Sequence, residues 1–182
     1  RKVLNDISFA IAAGESVAIM GANGAGKSTL LWCVLGLLRA QGAVRLFGQK
    51  PGKKTHSRVG MVFQNPEDQL FMPTLLDDIV LPLVNAGMPR GEAELKAIAT
   101  LQRAGLDEYA PEPAAHLSLG QRKRAAIASV LAREPELLVL DEPTAELDGR
   151  SVRELGEMLL CLPMARIMAS HDLNFVRRVA KR

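Results

Sequence analysis

Aromatic residues are scarce: one Trp, one Tyr and five Phe make up 4% of 182 residues. A core must therefore be built from Leu, Val, Ile, Ala and Met, in a chain that is 48% hydrophobic and 24% charged, an ordinary globular balance. This length suits one domain with a substantial core better than two. Cysteine is nearly absent. Cys33 and Cys161 lie far apart, each in an apolar run, which argues against a disulfide framework or a cysteine metal cluster. Both are expected to be small buried hydrophobes in a reducing, cytoplasmic compartment. Long hydrophobic runs are missing too. The longest, Leu30 to Leu38, is interrupted by Gly36 and falls short of the roughly 20 residues that span a bilayer. The first residues, Arg1 to Asp6, lack the apolar core of a signal peptide. Any membrane role must therefore run through a partner. The net charge is only +3 and the basic residues are scattered, apart from Arg122-Lys123-Arg124. Without a basic stripe or tail, no nucleic-acid partner is expected.

What is present is an alternation of strand and helix patterns. Ile7, Phe9 and Ile11 alternate with Ser8 and Ala10, predicting a half-buried strand. Val17 to Met20 is wholly apolar, predicting a strand buried on both faces. A glycine-rich segment, Gly21 to Gly26, leads into a predicted helix over 27–38. Further strands are predicted at Gly42 to Gly48, Arg58 to Phe63, Leu137 to Leu140 and Arg166 to Ser170. Helices are predicted at 91–104, with Leu95, Ile98 and Leu101 on one side, and at 120–133, 151–162 and from Asp172 onward. Between residues 65 and 117 prolines stand at 66, 73, 82, 89, 111 and 113, with helical stretches between them. This region reads as a small helical insert. The expected class is α/β: a mainly parallel sheet with helices on both faces, a small antiparallel β part and the insert. Ligands of such sheets bind at the carboxyl ends of the strands.

Each chemically informative residue follows a strand. Gly21-Ala22-Asn23-Gly24-Ala25-Gly26-Lys27-Ser28 fits the P-loop pattern. A loop that wraps backbone N–H groups around phosphates has no room for side chains, hence the glycines. The helix behind it, opening with Lys27, Ser28 and Thr29, aims its positive end at the same anion. Lys27 adds a full charge, and the Ser28 hydroxyl suits Mg²⁺. Asp141 and Glu142 are delivered to the end of an aliphatic strand, with neighbouring side chains pointing in opposite directions. Asp141 suits the metal shell, and Glu142 suits orientation or deprotonation of an attacking water. His171 ends the next strand, where it can sense a γ-phosphate or serve a structural role. Gln64 follows another strand and offers an amide to metal or water. Ser118 and Gly120, within Leu117 to Arg122, open a helix as an anion site or a simple N-cap. His56 and His116 have no such placement and read as surface or capping residues.

In this order the elements resemble the nucleotide-binding subunit of ATP-binding cassette (ABC) transporters, from about Val3 to the end of the chain. The resemblance assigns the P-loop to 21–28, the Q-loop glutamine to Gln64 and the signature, Ser118, Gly120 and Gln121, to 117–121. It assigns the D-loop to 144–148 with Asp148, and the switch histidine to His171. It implies one cassette domain with a helical subdomain at about 65–117. It implies ATP and Mg²⁺, held by Gly21, Asn23, Gly24, Gly26, Lys27, Ser28 and Thr29, with Ser28, Gln64 and Asp141 on the metal. Glu142 would be the catalytic base, and a second cassette would pack head to tail so that Ser118 faces its nucleotide. An integral membrane subunit would hold the protein at the cytoplasmic face of the membrane. Met61 to Phe71 further resembles the Q-loop segment of energy-coupling-factor importers of the cobalt and nickel or vitamin types.

Four departures stand out. Leu119 occupies the place of a signature glycine, and Glu146 is unusual in the D-loop. The family's adenine-stacking aromatic falls before residue 1, and its closing strands fall beyond Arg182. The chain is thus expected to be a fragment of a longer cassette. The alternative class is a non-transport cassette of the DNA-repair or translation type. The coiled coil of the first and the tandem cassettes of the second are not visible here.

Overall fold

A computed structural model describes residues 3–181. Four strands, β1 (Ser16–Met20), β2 (Val59–Val62), β3 (Leu137–Asp141) and β4 (Ala165–Ser170), form one sheet in the order β1-β4-β3-β2. All neighbours are parallel, with Val17 beside Ile167, Leu140 beside Met168 and Val62 beside Leu140. Parallel pairing puts Met20, Val62, Asp141 and Ser170 at one edge of the sheet. The residues that follow them are therefore gathered in space.

Helices cover both faces. On one, Leu31 and Leu35 pack against Val139, Ile167 and Ala169; they belong to or directly follow α1 (Lys27–Val34). On the other, Leu138, Leu140 and Met168 pack against α5 (Leu119–Leu131), α6 (Gly149–Leu160) and α7 (Leu173–Val179). Alternate strand residues thus serve opposite cores. Burying each of these aliphatic side chains stabilises the fold by about 1.5–3 kcal/mol. The remaining α-helices among the described residues are α2 (Lys53–His56), α3 (Leu75–Asn85) and α4 (Arg90–Ala104). Residues of α3 and α4 share the cluster that contains Leu138 and Leu140.

Several expectations are corrected. The predicted strands at 7–11 and 42–48 do not form. Among the described residues the antiparallel part is one isolated bridge, Leu46 with Gln49. Ile7 and Phe9 are exposed, so the alternating pattern there has no covered face to bury. β1 is an edge strand and Met20 is 42% exposed, not buried on both faces. α1 stops at Val34 because Gly36 takes a left-handed conformation, φ 71°, which ends helices. In α4 the buried stripe is Ala93, Ala97, Leu101 and Ala104, while Leu95 is 72% exposed. The small alanines let α4 approach α3 and α5 closely, and Leu95 and Ile98 point elsewhere. Pro82 lies inside α3 rather than at its boundary. Cys33 is buried as expected, but Cys161, at the end of α6, is exposed.

Candidate active site

The loop between β1 and α1 is shaped by two left-handed glycines, Gly24 (φ 78°) and Gly26 (φ 94°). A Cβ on Gly26 would lie 2.6 Å from Val3 Cγ1, so both backbone and packing require glycine there. Gly26 is the N-cap of α1 and no side chain caps the helix. The first-turn N–H groups are thus directed outward, an anion-binding arrangement. Asn23 and Gly24 are exposed on the open side of the loop, and Thr29 is half-buried in the first turn of α1.

Lys27 is buried, with its ammonium placed among two carbonyls and a carboxylate. Its Nζ donates to the Gly21 carbonyl at 2.8 Å and the Ala22 carbonyl at 3.2 Å, and lies 2.8 Å from Glu142 Oε1. Both side chains of this ion pair are 7% exposed. The second oxygen, Oε2, lies 2.8 Å from His171 Nδ1 and accepts the His171 backbone N–H at 3.3 Å. Glu142 itself has φ 43°, a left-handed value rare for a side-chain-bearing residue. Its N–H donates to the Ala169 carbonyl at 2.9 Å. Strain of this kind concentrates at working sites, held by surrounding structure.

Asp141 sits one residue earlier and turns to the other side. Ser28 Oγ donates to its Oδ1 at 2.9 Å. Burial pushes the Asp141 carboxyl above the usual range and the Ser28 hydrogen bond opposes this. The Glu142 charge raises it further, while Lys27 and Lys123 lower it. Gln64 follows β2, with an exposed side chain and its carbonyl bound to the Lys123 ammonium at 2.7 Å. Five sequence-predicted residues are therefore in direct contact: Lys27, Glu142 and His171 in one chain, Ser28 and Asp141 in another. Gln64 joins them through a residue that was read only as part of a basic run.

Ser118 and Asp148 are both helix caps. Ser118 Oγ accepts the Gln121 N–H at 3.3 Å, and the Gln121 amide oxygen accepts the Ser118 N–H at 2.8 Å. This reciprocal capping box starts α5. Leu119 is the first helical residue of α5 and is half-buried. Asp148 caps α6 by accepting the N–H groups of Arg150 and Ser151, and the Ser151 hydroxyl donates to it at 2.9 Å. These bonds hold the Asp148 carboxyl below the usual range. The first turns of the two helices lie close together, since a Cβ on Gly120 would lie 2.5 Å from Ser151 Oγ. Gly120 is therefore a packing glycine, a contact the sequence did not announce.

Reasoning from sequence missed Lys123, a 3% exposed residue whose ammonium also reaches the Glu142 carbonyl at 3.4 Å. The available signal was its spacing of three and four residues from Ala126 and Ile127 on the buried face of α5. His56 and His116 remain peripheral. His56 contacts the Leu35 carbonyl at 2.7 Å, and His116 contacts Glu112 at 2.9 Å.

Residues 4–145 match the family model described as ABC transporter. A putative ABC transporter ATP-binding protein of Streptomyces avermitilis is 41% identical, over all of this chain and 71% of that protein. The energy-coupling factor transporter ATP-binding protein EcfA of Methanocaldococcus jannaschii is 40% identical, over 96% of this chain and 66% of that protein. Among solved structures, cbiO1 from Clostridium perfringens, part of the ABC transporter complex cbiONQ, superposes with a TM-score of 0.87. It is 37% identical, over 98% of this chain and 75% of that one. A dimeric ATP-binding cassette in a post-hydrolysis state, bound to ADP and Pi, gives a TM-score of 0.85 at 29% identity, over 97% of this chain and 83% of that one. No helix among the described residues is long and apolar enough to cross a membrane. A parallel sheet that ends in a P-loop, with these relatives along its whole length, makes this chain a member of the ABC transporter family, an ATP-binding subunit with ATPase activity.

Proposed function

We propose that this chain is the ATP-hydrolysing motor of an energy-coupling-factor type importer, serving the uptake of metal ions such as cobalt or nickel, or of vitamins. The observation that carries the hydrolytic part is the Lys27–Glu142–His171 chain beside the Ser28–Asp141 pair. The triphosphate lies on the loop of Gly21, Asn23, Gly24 and Gly26, against the N–H groups of Lys27, Ser28 and Thr29. The Lys27 ammonium already donates to two carbonyls and lies 2.8 Å from Glu142 Oε1, so an arriving phosphate competes with Glu142 for its charge. Transfer of Lys27 to the phosphate leaves Glu142 free to accept a proton from the attacking water. His171 then contacts the γ-phosphate.

Ser28 and Asp141 present a hydroxyl and a carboxylate oxygen 2.9 Å apart, and the Gln64 amide would add a further oxygen to a bound metal. Among the described residues no group of three His, Cys, Asp or Glu could hold a metal. A hard cation at this pair would complete its shell from phosphate and water, which is the habit of Mg²⁺. When bound, Mg²⁺ neutralises charge developing on the phosphates.

Ser118, Gly120 and Gln121 would close on the nucleotide of a second cassette packed head to tail, with Asp148 beside that junction. The importer assignment draws support from the relative named EcfA and from cbiO1. It also draws on Phe71, 69% exposed at the end of the Asn65 to Phe71 segment, as an anchor for a membrane subunit. The test is purification of the tagged protein from its own membranes. Copurification of a small integral membrane protein, with magnesium-dependent ATP hydrolysis, is the expected result. A protein recovered without any membrane subunit, or with a nucleic acid or ribosome instead, would contradict the proposal.

A further inference from the structure

We infer that Lys123 is a positioning residue for hydrolysis: its buried ammonium ties the signature helix α5 to the backbone of both Gln64 and Glu142, linking the segment presented to the neighbouring site with the base of this chain's own site. The inference rests on the ATPase reading above and deepens it.

Lys123 lies five residues after the N-cap Ser118, one and a half turns into α5. Its residue exposure is 3%, and its Nζ donates to the Gln64 carbonyl at 2.7 Å and the Glu142 carbonyl at 3.4 Å. Neither acceptor is a side chain. The ammonium instead joins two chain segments that leave adjacent strands, β2 and β3. A buried ammonium is costly unless compensated. Burial lowers the Lys123 ammonium from its usual range, and a field of three carboxylates, Glu146, Glu142 and Asp141, offsets part of that. Glu146, the unusual residue of the D-loop, has φ 64°. It thus adds a carboxylate to this field at the expense of backbone strain.

The consequence for Glu142 is specific. Its N–H is held by the Ala169 carbonyl and its carboxylate by Lys27 and His171. The remaining backbone group, the carbonyl, accepts the Ala145 N–H at 3.1 Å and the Lys123 ammonium at 3.4 Å. Once phosphate draws Lys27 away, Lys123 is the one cation still on Glu142, and it holds the strained φ together with the Ala145, Ala169 and His171 contacts. The same ammonium fixes Gln64, where the chain enters the segment leading to α3. That segment is further fastened to α5 by the Gln69 amide, which donates to the Ala126 carbonyl at 2.5 Å and to Ser129 Oγ at 2.9 Å. Displacement of α5 by a nucleotide at Ser118 therefore acts on Glu142 and Gln64 together. A two-site readout follows: occupancy of the neighbouring site sets how well this site's base is aimed.

The test uses the full-length protein assembled with its cassette partner and membrane subunit, assayed for magnesium-dependent hydrolysis across ATP concentrations. Lys123→Met keeps the apolar stem without the charge. It should lower kcat by about tenfold, leave KM within about twofold, and bring the Hill coefficient to about one. Lys123→Arg, which retains cation and donors, should recover most of kcat. If Lys123→Met does not fold by its Tm, Lys123→Gln takes its place, with the same loss of kcat at unchanged KM expected. Wild-type kcat and cooperativity in the neutral variant would overturn the inference, as would an arginine variant no better than the neutral one. Absence of hydrolysis in the wild-type complex would instead sink the ATPase reading itself.

Discussion

Lys27 and Glu142 form a buried ion pair, 2.8 Å between Nζ and Oε1, with each side chain 7% exposed. The pair joins the first strand end of the sheet to the third and makes the anion-binding lysine the partner of the proposed base. Removing one member of a buried pair is more costly than removing both, because it leaves an uncompensated charge. Lys27→Ala should therefore destabilise the protein by about 3 kcal/mol, in addition to weakening nucleotide binding. Lys27→Met combined with Glu142→Gln should recover most of that stability without restoring hydrolysis. Denaturant unfolding of the single and double variants checks this through the coupling energy.

Ser28 and Asp141 make a separate prediction. Asp141→Asn keeps the shape of the side chain and the hydrogen bond from Ser28 but removes the charge a divalent cation needs. Because Asp141 is buried and its carboxyl is already pushed upward by burial, the fold should be unharmed by the neutral amide. The magnesium concentration needed for half-maximal hydrolysis should rise at least about tenfold, in line with the contribution of one charged ligand. A magnesium titration with an unchanged midpoint would remove Asp141 from the metal site.

The pH dependence of stability isolates Asp78. Burial raises its carboxyl above the usual range, against hydrogen bonds from the Met72 and Phe71 N–H groups, and the neighbouring Asp77 raises it further. A folded-state value above the unfolded one means that the native protein binds the proton more tightly. Stability from this group is then greatest below the unfolded value, about 4, and falls as pH rises through the folded value. Asp78→Asn removes that dependence. The Tm of the variant relative to wild type should climb as pH is raised from the acidic range toward neutrality. A constant difference would place the wild-type carboxyl at its ordinary value.

Gly60 in β2 tests the packing of α5 on the sheet. A Cβ there would lie 2.1 Å from Val130 Cγ1 and 3.1 Å from Pro135 Cγ, so the helix or the strand must move. Gly60→Ala should cost about 1–3 kcal/mol by overpacking, measured by denaturant unfolding. Because β2 leads directly to Gln64, hydrolysis should fall with it, whereas Gly91→Ala, with open space around it, should leave both unchanged.

The chemistry was more legible in the sequence than the architecture around it. Gly21 to Ser28, Asp141-Glu142 and His171 each follow a short, largely apolar run that reads as a strand. Parallel pairing then forces those strand ends together. The strand pattern at 7–11 was misleading because alternation reports a possible face and not whether anything covers it, and the run between Gly42 and Gly48 closes as a tight turn with a single bridge, Leu46 with Gln49. The α4 stripe was misread for the opposite reason. Leucines draw the eye, but close helix packing selected Ala93, Ala97 and Ala104. Lys123 was hidden because charge in a basic run reads as solvent-facing, and only its carbonyl partners, distant in sequence, explain why it is buried. The contact of Gly120 with Ser151 depends on the relative placement of α5 and α6, which no local pattern encodes.

The most direct measurement is ATP retention by Glu142→Gln in magnesium. With Lys27, Ser28 and the loop intact, the variant assembled with its partner should bind ATP as tightly as wild type. It should hydrolyse it about 10²–10⁴-fold more slowly, the usual contribution of a general base, so that intact ATP is recovered from the isolated complex. Recovery of ADP at the wild-type rate would show that Glu142 is not the base and that its contact with Lys27 is structural alone.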